Sequence, residues 1–285
     1  MQKTWFITGS SRGFGRALVR AALEAGDSVA ATARHPEQLD DLVAEYGERI
    51  TTIALDVTDS DAVRTAIDEA VAALGRLDVV VNNAGYANVA PIETGDVEDF
   101  RTQFETNFWG VYNVSKAAVP VLRAQGGGLI VQFSSVGGRV GRSAGIASYQ
   151  AAKFAIDGFS RVLRAETEQF GIRVLVVEPS GFRTDWSGSS MTVHPVPPEY
   201  ESTIGSRYEQ ASASPNLTAG DPDRAAAILV RLSRSDELPH NLPLGVNAAR
   251  MSEEFGRAQL ASDLTWASVS RSADFGEPFP VELPR

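Results

Sequence analysis

Thr8-Gly9-Ser10-Ser11-Arg12-Gly13-Phe14-Gly15 decides how this chain folds. The apolar run from Lys3 to Thr8 stops at Gly9. From Phe14 to Ala25 apolar residues recur at helical spacing (Phe14, Leu18, Ala21, Ala22, Ala25), ending at Gly26. A strand that enters a glycine turn and leaves as a helix brings together free backbone N–H groups and the positive end of a helix dipole. That combination suits a pyrophosphate. No Gly-Lys-Ser/Thr follows, so a Walker-type phosphate loop is excluded.

The same alternation continues outward. Short apolar runs at Ser28 to Ala33, Ile50 to Leu55, Val79 to Val81, Leu129 to Phe133 and Val174 to Val177 read as strands. Between them, Gln38 to Tyr46, Ser60 to Leu74, Val97 to Leu122 and Ser148 to Phe170 read as helices. Strands separated by such helices predict βαβ crossovers and a parallel sheet covered on both faces. No repeat and no linker-like break interrupts the chain, so residues 1–285 read as a single domain. The stretch from Trp186 to Asn216 is rich in Ser, Pro, Thr and Gly. It reads as a long substrate loop or lid at about 186–216, or else as a surface insertion. Asp221-Pro222 then caps a helix to Arg234, and Leu242 to Val246 reads as a last strand.

Composition narrows the chemistry. The net charge is −10, which opposes nucleic-acid binding. Without cysteine there is no disulfide, thiolate metal site or cysteine nucleophile. The three histidines, His35, His194 and His240, do not form a ligand motif, so no metal is expected. No run approaches the ~20 apolar residues of a membrane span. The N-terminus enters a strand without a signal-peptide pattern, so a cytoplasmic protein is expected.

Spacing of the form Thr-Gly-x-x-x-Gly-x-Gly resembles the short-chain dehydrogenase/reductase family, and the likeness runs from about Lys3 to Trp186. Ser135-Val136-Gly137-Gly138 and Lys153-Phe154-Ala155 are most similar to its hydroxysteroid and retinol dehydrogenase-like branch. The resemblance implies a Rossmann-type, doubly wound parallel sheet in a three-layer α/β/α, single-domain fold, and a nicotinamide cofactor. Family positions place cofactor contacts at Gly9, Ser11, Arg12, Gly13, Phe14 and Gly15. Others fall at Asp56 and Val57, and at Asn83, Ala84 and Gly85. Tyr149, Lys153, Pro179, Phe182 and Thr184 complete the set. Asp56 also reads as a cap for the helix near Ser60, and Asn82 as purely structural. Ser180 stands where the family has glycine.

Cofactor choice is read at the end of the second strand. An acid there holds the 2′-hydroxyl of NAD, whereas an arginine accommodates the 2′-phosphate of NADP. Here Ala33 and Arg34 occupy the place, with Arg12 inside the turn. Two guanidinium groups and no acid predict NADP (NADPH), although either arginine also reads as a solvated surface residue.

Carbonyl reduction leaves an oxyanion that needs a proton, a second hydrogen-bond donor and a path for resupply. Tyrosine titrates near 10, and an adjacent ammonium would lower that by roughly 1 to 3 units. Tyr149-Gln150-Ala151-Ala152-Lys153 offers such a pair at i and i+4. With six tyrosines and three lysines in 285 residues, chance supplies that spacing about 0.06 times. The resemblance adds Ser135 as the substrate-oxygen donor, with Ser134 as the other candidate. It adds Asn107 as the residue that holds a proton-relay water. The stretch from Ser135 to Tyr149 is one residue longer than usual, with the extra residue expected within Arg142 to Ala147.

Tyr86, Val136, Val140, Phe182, Trp186 and Met191 are the candidate substrate wall, mostly apolar. They predict a small-molecule carbonyl/alcohol substrate that is uncharged and hydrophobic. The rival reading is a non-catalytic NADP(H)-binding sensor, which would typically lose the Tyr/Lys pair. An epimerase relative would need a larger C-terminal domain. The resemblance also implies a homodimer or homotetramer built on the helices Val97 to Leu122 and Ser148 to Phe170.

Replacing Tyr149 with Phe should leave cofactor binding in place and lower turnover by at least about 100-fold. Full turnover by a cofactor-binding Tyr149→Phe protein, in a steady-state assay, would overturn the assignment.

Overall fold

The computed structural model describes residues 2–184, 191–205 and 220–284. In chain order its first half holds β1 (Thr4–Ile7), α1 (Gly13–Glu24), β2 (Ser28–Ala33), α2 (Asp40–Tyr46), β3 (Ile50–Ala54), α3 (Ser60–Leu74), β4 (Val79–Asn82), β5 (Ala87–Val89), α4 (Val97–Phe104) and α5 (Gly110–Ala124). β6 (Gly128–Phe133), α6 (Gly137–Val140), α7 (Ala147–Thr167), β7 (Ile172–Pro179), β8 (Met191–Val193), α8 (Pro222–Ser233), β9 (Asn241–Leu244) and α9 (Val246–Arg271) follow.

Seven strands form one sheet in the order β3-β2-β1-β4-β6-β7-β9, all neighbours parallel. Side chains alternate between its faces with period two. Trp5, Ile7, Val29, Ala31, Val79, Val81, Leu129 and Val131 bury against α1, α2 and α8. Phe6, Ala30, Val80, Ile130 and Val174 bury against α3, α5 and α7. Both faces are covered, which is why the strands are apolar throughout rather than alternating with polar residues. This is the expected Rossmann-type α/β sheet. Its order reverses between β1 and β4, and ligands of such sheets bind where the carboxyl ends of those strands part.

The long helix expected over Val97 to Leu122 is there, but a π-turn at Glu105–Trp109 separates α4 from α5. The helix expected over Ser148 to Phe170 is α7, closed by a 3₁₀ turn at Glu168–Phe170. Asp221 caps α8 as expected, accepting from the amides of Asp223 and Arg224. The small parallel pair β5–β8, the short α6 and the 26-residue α9 have no counterpart in the sequence reading. Of the 186–216 loop, residues 191–205 are described. They comprise β8, a 3₁₀ turn at Pro198–Tyr200 and a π-turn at Glu201–Gly205. Residues 186–190 and 206–216 lie outside the described residues, Trp186 among them. No helix among the described residues is long and apolar enough to cross a membrane.

Asp27 ties the N-terminal strand to α8. Its fully buried carboxylate accepts from the Lys3 amide at 2.9 Å and the Trp5 indole at 2.8 Å. Arg234, at the end of α8, gives it two further bonds of 2.8 Å. Removing one partner of a buried pair strands the other. Asp27→Ala should therefore lower unfolding free energy by about 3 kcal/mol in a urea titration.

Candidate active site

The glycine turn is shaped by lack of space. Gly9 and Gly13 have φ of +67° and +54°, a region open to glycine. A Cβ on Gly15 would stand 2.2 Å from the Gly9 carbonyl oxygen and 2.6 Å from Asn83 Nδ2. The turn is lashed to the end of β4. Asn83 Nδ2 donates to the carbonyls of Thr8 (3.0 Å) and Gly9 (3.1 Å), and Thr8 Oγ1 accepts from the amides of Asn83 and Ala84. No side chain caps α1 at Arg12, and its first turn carries no acid. An uncapped helix N-terminus beneath a glycine cradle fits the pyrophosphate of a dinucleotide. The β7 exit reaches the same turn, because a Cβ on Gly13 would lie 3.4 Å from Thr184 Cβ. Phe14 packs between Phe133 and Phe182, with ring centroids 5.4 and 4.7 Å away.

The four catalytic candidates converge beside this turn. α7 presents Tyr149 and Lys153 from one face, both buried. Ser135, just past β6, is hydrogen-bonded to Tyr149, and its Oγ accepts from the Gly137 amide at 3.0 Å. Ser134 turns away and donates to the Lys153 carbonyl at 3.1 Å. Of the two serines, Ser135 is therefore the one facing Tyr149. Lys153 Nζ lies 5.5 Å from the Tyr149 ring centroid and donates to the Phe133 carbonyl at 2.7 Å. Asn107, in the π-turn, clamps the backbone of Tyr86: Oδ1 accepts from its amide (3.0 Å) and Nδ2 donates to its carbonyl (2.8 Å). Gly85 sits where Asn107 and Lys153 meet. A Cβ there would be 2.5 Å from Asn107 Oδ1 and 3.7 Å from Lys153 Nζ.

Burial governs the charges. It pushes the Tyr149 hydroxyl up to about 12, with the Ser135 hydrogen bond opposing. It brings Lys153 down to about 8, with the Asp157 charge opposing. Burial of Tyr149 thus acts opposite to the lowering expected from its ammonium neighbour. Tyr149 is a neutral phenol, a proton donor over the whole neutral range.

Other expectations fare unevenly. Arg34 is exposed just beyond β2. Burial first, then the Asp99 charge, raises the Tyr86 hydroxyl, while a Thr106 hydrogen bond and the Arg34 charge oppose them. Arg34 therefore stands within electrostatic reach of the crevice. Arg12 and Asp56 are exposed and Ser11 is half-buried. Asp59, not Asp56, caps α3, while Asp56 accepts from the amide and hydroxyl of Thr58. Val57 is core, seated on Gly110. Asn82 is structural, donating to Ser115 Oγ and Gln132 Oε1. Pro179 accepts from the Val136 amide. Ser180 does not need the left-handed backbone, since Arg142 is the non-glycine residue with positive φ (+67°) among those described. That strain, about 1–2 kcal/mol, falls inside the stretch expected to carry the extra residue.

The substrate wall also shifts. Val136 and Val140 are buried against Ala248, Met251 and Phe255 of α9 rather than lining open space. Met191 instead packs, with Val196 and Tyr200, against a buried cluster of Ala87, Val89, Ile146, Tyr149 and Ile204. The β5–β8 pair thus brings residues 191–193 beside the cluster that holds Tyr149. Sequence reading missed this, because three-residue strands carry no period.

A family model described as short chain dehydrogenase matches residues 3–192. Oxidoreductase BOA17 of Botryotinia fuckeliana is 47% identical over 95% of this chain and 98% of its own length. A short-chain dehydrogenase from Streptomyces avermitilis superimposes with a TM-score of 0.88 at 36% identity, covering 96% of this chain and 98% of that one. An alcohol dehydrogenase from Thermococcus sibiricus, complexed with 5-hydroxy-NADP, gives 0.70 at 25% identity, covering 86% and 97%.

The buried ammonium has a sign that can be tested. The value of Lys153 drops from 10.5 to about 8 on folding. Its contribution to stability is therefore full above 10.5 and is lost as pH falls through 8. Lys153→Met should stabilise the cofactor-free protein by about 1–2 kcal/mol near pH 7, and the gain should fade between pH 8 and 10.5. Denaturation at several pH values reads this directly.

Proposed function

The chain belongs to the short-chain dehydrogenase/reductase family, and from that premise we propose that it is an NADP(H)-dependent oxidoreductase interconverting a ketone or aldehyde with the corresponding alcohol. The observation that carries this reading is the buried Tyr149 phenol, hydrogen-bonded to Ser135 with Lys153 one turn away. NADPH, when bound, supplies the hydride. The glycine turn Gly9 to Gly15 and the uncapped start of α1 would hold its pyrophosphate, with Asn83, Ala84, Gly85 and Thr184 bordering it. Ser135 and Tyr149 hydrogen-bond the carbonyl oxygen. Tyr149 gives that oxygen its proton, and Lys153 stabilises the phenolate left behind. Asn107 fixes the chain at Tyr86 and, with water, supports proton resupply. The reverse reaction uses the same groups.

Preference for NADP rests on Ala33 in place of an acid and on the exposed Arg34 and Arg12. The ligand named for the Thermococcus sibiricus enzyme is of that type. The apolar lining contributed by Met191, Val196, Ile204 and Ile146 supports an uncharged hydrophobic substrate. Ser135-Val136-Gly137-Gly138 and Lys153-Phe154-Ala155 support kinship with the hydroxysteroid and retinol-like branch. Exposed Phe100, Trp109, Phe154 and Val162, all on the α4–α5 and α7 helices, support a homodimer or homotetramer.

NADPH oxidation over a panel of hydrophobic ketones and aldehydes tests the reaction, and an inactive panel would overturn it. Arg34→Asp should raise the KM for NADPH by roughly 10- to 100-fold and improve NADH. An unchanged NADPH/NADH ratio would remove Arg34 from the site.

A further inference from the structure

Beneath the catalytic helix lies a buried polar cluster that the mechanism above does not use. Glu178 of β7 is fully buried. Arg139 of α6 grips it with two bonds, 2.7 Å from Nε and 3.1 Å from Nη2, and Asn241 Nδ2 donates at 2.6 Å. Asp157 of α7 is also buried, one turn beyond Lys153 on the same helix. Its carboxyl lies close to Glu178 and Ser134, and its Oδ1 lacks a hydrogen-bond partner among the described residues. Two buried carboxyls this close cannot both be ionised at once without a large penalty. Glu178 accepts from three donors, whereas Asp157 Oδ1 accepts from none among the described residues. Burial, then the Glu178 charge, hold the Asp157 carboxyl well above the usual carboxylate range.

Lys153 is the other side of this arrangement. Its ammonium is buried, with the Phe133 carbonyl as acceptor. The groups near it are Tyr149 and Asp157 on its own helix, Asn107 from the π-turn and Ser134 from the β6 exit. Behind Asp157 stand Glu178 from β7 and Arg139 from α6. The Glu178 charge is matched by Arg139, and Asp157 is the acid whose charge opposes the desolvation of Lys153.

We propose that Asp157 is a positioning residue for the carbonyl reaction: its carboxyl, paired with Glu178, is the buried countercharge that keeps Lys153 an ammonium beside Tyr149. The closeness of the two buried carboxyls makes this countercharge conditional. At lower pH Lys153 is charged unaided and Asp157 is neutral, so the interior carries no excess negative charge. As pH rises, Asp157 releases its proton first, and its anion then holds the proton on Lys153. The reacting carbonyl touches neither Asp157 nor Glu178.

This inference rests on the reductase reading proposed above. Its test compares wild type, Asp157→Asn and Asp157→Glu in NADPH-dependent reduction across pH. Asp157→Asn keeps a polar side chain of the same size but cannot ionise. Its alkaline limb of kcat should move about one unit toward lower pH, giving roughly tenfold less activity near pH 9. Near pH 6, kcat, NADPH Kd and urea stability should stay within about twofold of wild type. Asp157→Glu should restore the limb. A uniform loss at every pH with an unmoved limb would make Asp157 merely structural and overturn the proposal. A second readout needs no variant to fold and no turnover. The chain has three lysines, so selective labelling follows the Lys153 amine by NMR. In wild-type protein its titration should be coupled to that of a buried Asp carboxyl. An independent Lys153 titration, with every Asp ionised by about pH 5, would also overturn the proposal. An inactive carbonyl panel with coupled titrations would sink the reductase reading and leave the Asp157–Lys153 linkage standing.

Discussion

α1 is pressed so tightly onto the carboxyl ends of β1 and β4 that no side chain fits between them. Gly15 faces the Gly9 carbonyl and Asn83 at distances that exclude even a methyl group. Everything in the site follows from this closeness. It aims the first turn of α1 at the parting of the strands, and it brings Asn83 near enough to satisfy the carbonyls of Thr8 and Gly9. It also leaves the start of α1 without a side-chain cap at Arg12 among the described residues. A β-carbon at Gly15 would lift the helix, and the β4 exit that carries Gly85 and Tyr86 would lose its reference.

Much of this was legible in the chain. Parallel strands covered on both faces are short unbroken apolar runs, and their helices repeat every 3.6 residues, so the seven-strand sheet and its layers could be read directly. The Tyr149–Lys153 spacing was legible because lysine is scarce. What escaped reading has physical causes. β5 and β8 are three residues each and owe their existence to one another. α9 keeps only Ala248 fully buried, so its sequence was never shaped into a strong apolar stripe. The values of Tyr149 and Lys153 depend on desolvation, which spacing along a helix does not encode. Choosing between Ser134 and Ser135 needed the direction of two adjacent side chains at a strand end.

The interior beside the crevice concentrates groups that a stability-optimised core would avoid. Tyr149, Lys153, Asp157 and Glu178 are all buried, and Tyr149, Lys153 and Glu178 each meet a polar partner from another part of the fold. Such clusters cost folding free energy and are retained where activity needs them. The protein offsets that cost away from the site, with pairs such as Asp27–Arg234 and two apolar faces of the sheet. Chemistry and rigidity are therefore carried by separate sets of residues.

The π-turn at Glu105–Trp109 has a consequence for how this chain can vary. It fits one extra residue into a single helical turn, and each residue advances a helix by about 100°. Ahead of it Gln103 meets Asn88; within it Asn107 meets Tyr86; after it Gly110 meets Val57 and Ser115 meets Asn82. The turn is thus a phase setting for one continuous rod. Deleting a single residue there would not trim a loop but rotate α5 out of mesh with the sheet. Insertions and deletions are therefore expected to be tolerated on either side of the rod and filtered out within it.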